Sequence, residues 1–176
     1  FSQPGAGAQI DRVDGELLSL HCVARPIEAP DSAVKSNAFV NCGKPLPGFE
    51  VEIRDEQGRA LPDRRCGRIY LRGPSVMSGY FGNPEATREV LSTDGWLDTG
   101  DLGYRVDGDL LLTGRAKDLL IINGRNIWPQ DLEHLAEQQP EVRPTDASAF
   151  SIAGEDGSEI AVLVVQCREV DPATLV

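Results

Sequence analysis

Two histidines and four cysteines are all the imidazole and thiol metal ligands of this 176-residue chain, and no two cysteines stand in a CxxC spacing. Cys22, Cys42, Cys66 and Cys167 are far apart, which argues against a zinc site and reads as four buried, reduced thiols. No metal ligands are assigned. No apolar run approaches the ~20 residues of a membrane span, and no stretch has the layout of a secretory signal. Nothing therefore directs the chain to a membrane or out of the cell, and the expected location is cytoplasmic. Positive charge is scarce: 17 Lys and Arg face 28 Asp and Glu, a formal net charge of −11. That balance speaks against nucleic acid or an anionic membrane as the main partner, while leaving room for a local basic pocket for a phosphate. Low-complexity runs are also missing. With 40% hydrophobic and 26% charged residues, the chain reads as folded. It begins at Phe1 rather than Met and ends at Val176 just after what reads as a helix start, "DPATLV". The expectation is a piece of a longer protein.

Hydrophobic periodicity sets the coarse architecture. Residues 1–40 are broken by Pro4, Pro26 and Pro30 and read as extended loop around one strand, 17–24. In "FEVEIRD", Phe49, Val51 and Ile53 alternate with Glu50, Glu52 and Arg54, the period of a half-buried strand. "GRIYLRG" repeats it with Ile69 and Leu71 on one face. "NPEATREVL" predicts a short helix with Asn83 as cap and Pro84 at its first position. "YRVDGDLLLTG" predicts a hairpin turned at Asp107-Gly108. Short strands at short spacing suggest a small antiparallel barrel or sandwich. After Gly114 come a strand at 118–122, an Asn123-Gly124 turn, and a helix at 129–139 with Leu132, Leu135 and Ala136 on one face. Two strands around the Gly-Glu-Asp-Gly turn at 154–157 follow.

Three stretches carry candidate chemistry: "GPSVMSGYFGNPEAT", "DGWLDTGDLGY" and "GRAKDLLIINGRNIWPQDLE". Each alone has a plain structural explanation. Gly100-Asp101 serves as a turn in which Asp bonds its own backbone, and Arg115 and Lys117 serve as a solvated strand edge. Together they say more. A carboxylate in a loop between strands accepts hydrogen bonds from two adjacent hydroxyls, the way acidic residues hold a ribose diol. Arg115 follows the next hairpin, so it can converge on Asp101 and supply charge-assisted bonds to ribose or phosphate oxygens. The residues alone give a nucleotide-sugar site beside a domain junction.

In that order, "GYFGNPEAT", "GWLDTGDLGY" and "GRAKDLLIINGRNIWPQDLE" resemble the later core motifs of the adenylate-forming superfamily: acyl-CoA synthetases, peptide-synthetase adenylation domains and luciferases. "CGKPLPGFEVEI" and "NGRNIWPQDLE" look most like the fatty acyl-AMP ligases, which also carry an insertion where residues 1–40 fall. The resemblance implies an α+β fold: an insertion-like segment at 1–40, a small distorted antiparallel β-barrel subdomain at 41–116, and the start of a mobile C-terminal α+β domain at 117–176. It implies that Asp101 and Arg115 bind the ribose of ATP and acyl-AMP, that Lys117 is the hinge, and that Gly124, Arg125 and Asn126 belong to a loop that moves to the active site. Ile121 stands where many CoA-forming relatives have lysine, which suits an enzyme not built for CoA. Arg68 stands where the family usually has Glu, and reads as structural drift.

The activity implied is ATP-dependent activation of a fatty acid, with Mg²⁺, to acyl-AMP, and transfer of the acyl group to the carrier protein of a polyketide or peptide synthase. The resemblance also places the phosphate-binding loop before residue 1 and the catalytic lysine beyond Val176, so the 176 residues alone are expected to be inactive. Two other readings stay open. One is an acyl-CoA synthetase or peptide-synthetase adenylation domain; the other is a non-catalytic interaction module.

Overall fold

The carboxylate of Asp14 decides how the chain begins. In the computed structural model, which describes residues 7–27, 36–122, 125–154 and 159–167, strand β1 (Ile10–Asp14) ends on this residue. Its Oδ1 accepts the amides of Glu16 and Leu17, both at 3.0 Å, and so caps helix α1 (Gly15–His21). The Arg25 guanidinium donates to the other oxygen at 2.6 Å. A strand was expected at 17–24, and a helix stands there. The cap satisfies amides that a helix start otherwise orphans, and Glu16 in the first turn and His21 in the last suit the helix dipole. One turn then buries Leu18 and leaves Leu20 exposed. Cys22, at φ +54°, closes the helix by donating its amide to the Leu18 carbonyl. Strand β2 (Ser36–Val40) pairs antiparallel with β1, Ile10 opposite Val40. The described part of residues 1–40 is thus two strands and a helix, not an extended loop.

The chain forms two units, Phe1–Lys117 and Asp118–Val176. The centre of the first is a four-stranded antiparallel sheet in sequence order: β3 (Glu50–Arg54), β4 (Gly67–Arg72), β5 (Leu97–Val106) and β6 (Asp109–Arg115). Ile53, Ile69, Trp96, Tyr104 and Leu111 are buried in it. The guanidinium groups of Arg54 and Arg72 each lie over the Trp96 ring, 4.7 Å from its centroid. The Asp107-Gly108 hairpin joins β5 to β6 with both residues at positive φ, +52° and +86°. Helix α2 (Pro84–Val90) is capped by Asn83, which accepts the Ala86 amide at 3.0 Å. A barrel was expected, but none of the sheets closes among the described residues. Beyond β6, the described residues supply only a short stretch at 41–43, through one bridge to Leu111 and backbone bonds to Leu110. That is too little pairing to carry the sheet round to β3.

The N-terminal elements are clasped to this sheet by Asp11. Its Oδ2 accepts the Tyr104 hydroxyl at 2.7 Å and an Arg64 nitrogen at 3.1 Å. Tyr104 is fully buried, and Phe39 meets its ring edge-on at 6.1 Å. The expectation of four buried thiols fails. Cys66 is buried, Cys22 half-buried, and Cys42 and Cys167 exposed. Only Cys66 faces the sheet core, against Thr113, and its burial pushes the thiol up to about 11.

The second unit holds a short hairpin of β7 (Leu120–Ile122) and β8 (Arg125–Ile127), helix α3 (Pro129–Glu137), and a long hairpin of β9 (Val142–Ala153) and β10 (Glu159–Cys167). Glu133 and Glu137 of α3 accept the amides of Ala149 and Thr145, at 3.0 and 2.6 Å. Spaced four apart, they turn one helix face to β9. That rotation leaves Leu135, expected on the buried face, 54% exposed. The Asn123-Gly124 turn, most of the 154–157 turn and the helix start at 171–176 lie outside the described residues. Among those described, no helix is long and apolar enough to cross a membrane.

Asp14 supplies a test. Hydrogen bonding from the Leu17 amide first, with the Arg25 guanidinium adding to it, holds its carboxyl below the ordinary carboxylate range. A folded-state pKa below the unfolded one contributes stability that is present above the unfolded value, about 3.9, and lost as pH falls through the folded one. Asp14→Ala should cost about 1 kcal/mol at neutral pH in chemical denaturation. Asp14→Asn should keep most of the cap and flatten the fall in stability below about pH 4.

Candidate functional site

Where β5 meets β4, one residue faces three. Tyr70 pairs with Asp98 and Arg68 with Leu102, so Ile69 alone stands opposite Thr99, Gly100 and Asp101. Such a bulge leaves a backbone carbonyl without its ladder partner. The Thr99 hydroxyl supplies it, donating to the Ile69 carbonyl at 3.0 Å and accepting the Asp101 amide at 3.1 Å. Gly100 crosses the bulge at φ +75°, and its amide donates to Asp98 Oδ1 at 2.9 Å. A glycine suits that left-handed conformation because it has no Cβ to strain.

The bulge delivers Asp101 opposite Arg115 in the β5–β6 register. Arg115 Nε donates to Asp101 Oδ1 at 3.1 Å. The Ala116 amide donates to the Gly100 carbonyl at 2.9 Å and holds the end of β6 against the bulge. The Asp101 side chain is 30% exposed and that of Arg115 56%. Asp101 Oδ2 has no partner among the described residues. The pair therefore presents an oriented carboxylate with an open oxygen, flanked by guanidinium nitrogens that are also open. Two adjacent hydroxyls can donate to such a carboxylate while the guanidinium donates to a neighbouring oxygen.

Of the other residues singled out in the sequence, Lys117 is exposed in the turn that ends the first unit. Ile121, in β7, is 53% exposed. Arg125 and Asn126, expected in a loop, form β8 and pair with Ile122 and Ile121. Gly124 lies outside the described residues. Two neighbours of the site have no role in the sequence reading: Asp98, which it does not single out, and Arg68, which it takes as drift. The Asp-Thr-Gly run was their signal, since Asp readily accepts the amide two residues on. That role was given to Asp101 as the plain explanation, and the structure gives it to Asp98. Among the described residues no group of three or more His, Cys, Asp or Glu is placed to hold a metal ion.

A family model described as AMP-binding enzyme matches residues 18–81. A Caulobacter vibrioides protein named as an acyl-CoA synthetase is 48% identical over 161 residues, which are 91% of this chain and 28% of that protein. A solved fatty acyl-adenylate ligase of E. coli or L. pneumophila superposes with a TM-score of 0.85 at 46% identity, covering 98% of this chain and 30% of that one. The McyG A-PCP structure with phenylalanyl-adenylate gives a TM-score of 0.66 at 38% identity, covering 72% of this chain and 23% of that one. The chain thus spans under a third of the length of these relatives.

Two glycines of β5 separate backbone conformation from space. At Gly100 a Cβ would meet nothing within 4 Å, so Gly100→Ala adds only the left-handed strain, about 1 kcal/mol. At Gly103 a Cβ would clash with the Leu111 carbonyl oxygen, so Gly103→Ala must push β5 from β6. Its cost should reach or pass the top of the ~1–3 kcal/mol range for overpacking. Urea denaturation checks the order, and equal losses would contradict the bulge geometry.

Proposed function

Since the chain belongs to the adenylate-forming superfamily of AMP-binding enzymes, we propose that Asp101 and Arg115 hold the ribose of ATP and of an acyl-adenylate in a fatty acyl-AMP ligase. The observation that carries this reading is the Asp101 carboxylate, oriented by Arg115 through one oxygen and open at the other. The ribose 2′ and 3′ hydroxyls donate to it, and Arg115 fixes its orientation. A fatty carboxylate oxygen then attacks the α-phosphorus, pyrophosphate leaves, and acyl-AMP remains. Chemistry of this kind is mostly positioning and charge stabilisation. Holding the ribose at two points keeps the α-phosphate in line. Mg²⁺ that accompanies ATP neutralises phosphate charge; no ligand for it is assigned from this chain and no step is derived through it.

In the second half-reaction the phosphopantetheine thiol of an acyl carrier protein attacks the acyl carbon, and AMP leaves. Three features support a carrier protein as acceptor: the likeness to a fatty acyl-adenylate ligase over nearly the whole chain, the apolar Ile121 in β7, and the ordered N-terminal elements clasped through Asp11. The likeness to a protein named as an acyl-CoA synthetase favours the second reading, with CoA as acceptor. Lys117, the last residue of the first unit, is proposed as the hinge, with residues 124–126 carried by the moving unit. A few torsions there absorb the rotation between half-reactions.

The acceptor is tested with the full-length ligase, a fatty acid and ATP, comparing CoA with holo-carrier protein. Acyl transfer to the carrier protein should dominate, and efficient acyl-CoA formation would establish the second reading instead. The hinge is tested by Lys117→Pro, which fixes one torsion. Pyrophosphate exchange should persist while acyl transfer slows by an order of magnitude or more; equal loss of both half-reactions would count against the hinge.

A further inference from the structure

Asp98 has more partners than a strand residue at a sheet surface requires. Its Oδ1 accepts the Gly100 amide at 2.9 Å. Its Oδ2 accepts the Tyr70 hydroxyl at 3.4 Å and lies 3.0 Å from Arg68 Nε. That last contact is a charge contact rather than a linear hydrogen bond, and among the described residues Arg68 Nε is buried with no hydrogen-bond partner. The Asp98 side chain is only 16% exposed. Burial and the Asp98 charge both keep the Tyr70 hydroxyl protonated, as a donor must be. The Arg54 guanidinium stacks on the Tyr70 ring, 4.6 Å from its centroid, and fixes that ring in turn.

These contacts converge on one residue, through the two peptide groups that flank it. Gly100 is held by its amide on Asp98 and by its carbonyl on the Ala116 amide. It is also the residue that turns Asp101 toward Arg115. A ribose held by two hydrogen bonds to one carboxylate is sensitive to small displacements, because hydrogen bonds weaken steeply with angle.

We infer that Asp98, clamped by Arg68 and Tyr70, is a positioning residue that sets the contact between Asp101 and the ribose diol. Asp98 touches no ligand. It acts through the Gly100 peptide, and Arg68 acts through Asp98. The inference rests on the ribose-binding reading of Asp101.

The test measures binding of AMP and of 2′,3′-dideoxy-AMP to the full-length enzyme by calorimetry, and reads the preference for AMP. Asp101→Ala should abolish that preference. Asp98→Ala should weaken AMP binding roughly tenfold and leave dideoxy-AMP within about twofold, a split that general unfolding would not produce. Asp98→Asn retains an acceptor for the Gly100 amide and should restore most of the preference. Arg68→Glu sets a like charge against Asp98 and should repeat the Asp98→Ala result; it carries the test if Asp98→Ala does not fold. Undiminished preference in Asp98→Ala or Arg68→Glu, with preference lost in Asp101→Ala, overturns the positioning role and leaves the ribose reading standing. Equal weakening of both nucleotides in Asp98→Ala also overturns it. Preference retained in Asp101→Ala overturns both.

Discussion

The bulge of Thr99, Gly100 and Asp101 against the single residue Ile69 is the constraint on which the rest of the site depends. In a regular ladder each β5 residue would meet one β4 residue, and side chains would alternate between faces. Three residues against one break that alternation, so the direction of Asp101 is set by the bulge and not by strand phase. The bulge persists because its polar groups are satisfied locally. Thr99 serves the Ile69 carbonyl and the Asp101 amide, and Asp98 serves the Gly100 amide. A second irregularity in β6, at Leu102/Gly103 of the facing strand, leaves Thr113 as the extra residue and buries it against Cys66. Gly103 lets the two strands meet there, since the Leu111 carbonyl occupies the place of a side chain.

The Asp11 clasp works on a larger scale by the same means. One carboxylate oxygen accepts from a buried tyrosine and an arginine that lie far apart in sequence. Removing either donor leaves a half-buried acceptor short of a partner, the costly case for a polar group. By contrast, exposed pairs such as Arg72 with Glu50, their side chains 40% and 58% exposed, contribute little, because solvent screens them. The arginines of this acidic chain therefore differ in kind. Arg64 and Arg68 meet carboxylates that are mostly shielded from solvent, 20% and 16% exposed, whereas the Arg72–Glu50 pair lies open to it.

What could be read in advance follows from how local each signal is. The alternation of Val51 and Ile53, the Asp-Gly turn at 107–108 and the Asn83-Pro84 cap are written within a few residues, and each appears as expected. The pairing of Asp101 with Arg115 was reachable because a hairpin joins them. Helix α1 was missed because Leu17, Leu18 and Leu20 look like a strand once the Asp14 cap is overlooked; that cap draws part of its strength from Arg25, eleven residues on. Leu135 was placed inward by helical period alone, but two glutamates set the rotation of α3. Arg68 looked like drift for a similar reason. Its meaning lies in Asp98, on a neighbouring strand, and a bulge register cannot be read from one strand's pattern.

The pairing at the site also bears on charge. A chain of formal charge −11 repels a nucleotide triphosphate at long range, though salt confines that field to about 8 Å. In the ribose site proposed above, a bare carboxylate would add repulsion within that distance, next to the phosphates. Arg115 offsets it: the carboxylate and guanidinium charges of the pair cancel, and Asp101 Oδ2 stays open to hydroxyls. In the proposed ribose site, the same contact that aims the carboxylate would therefore let an acidic surface receive an anionic nucleotide. A lysine at 115 would supply the charge without the planar group that fixes the direction of the carboxylate.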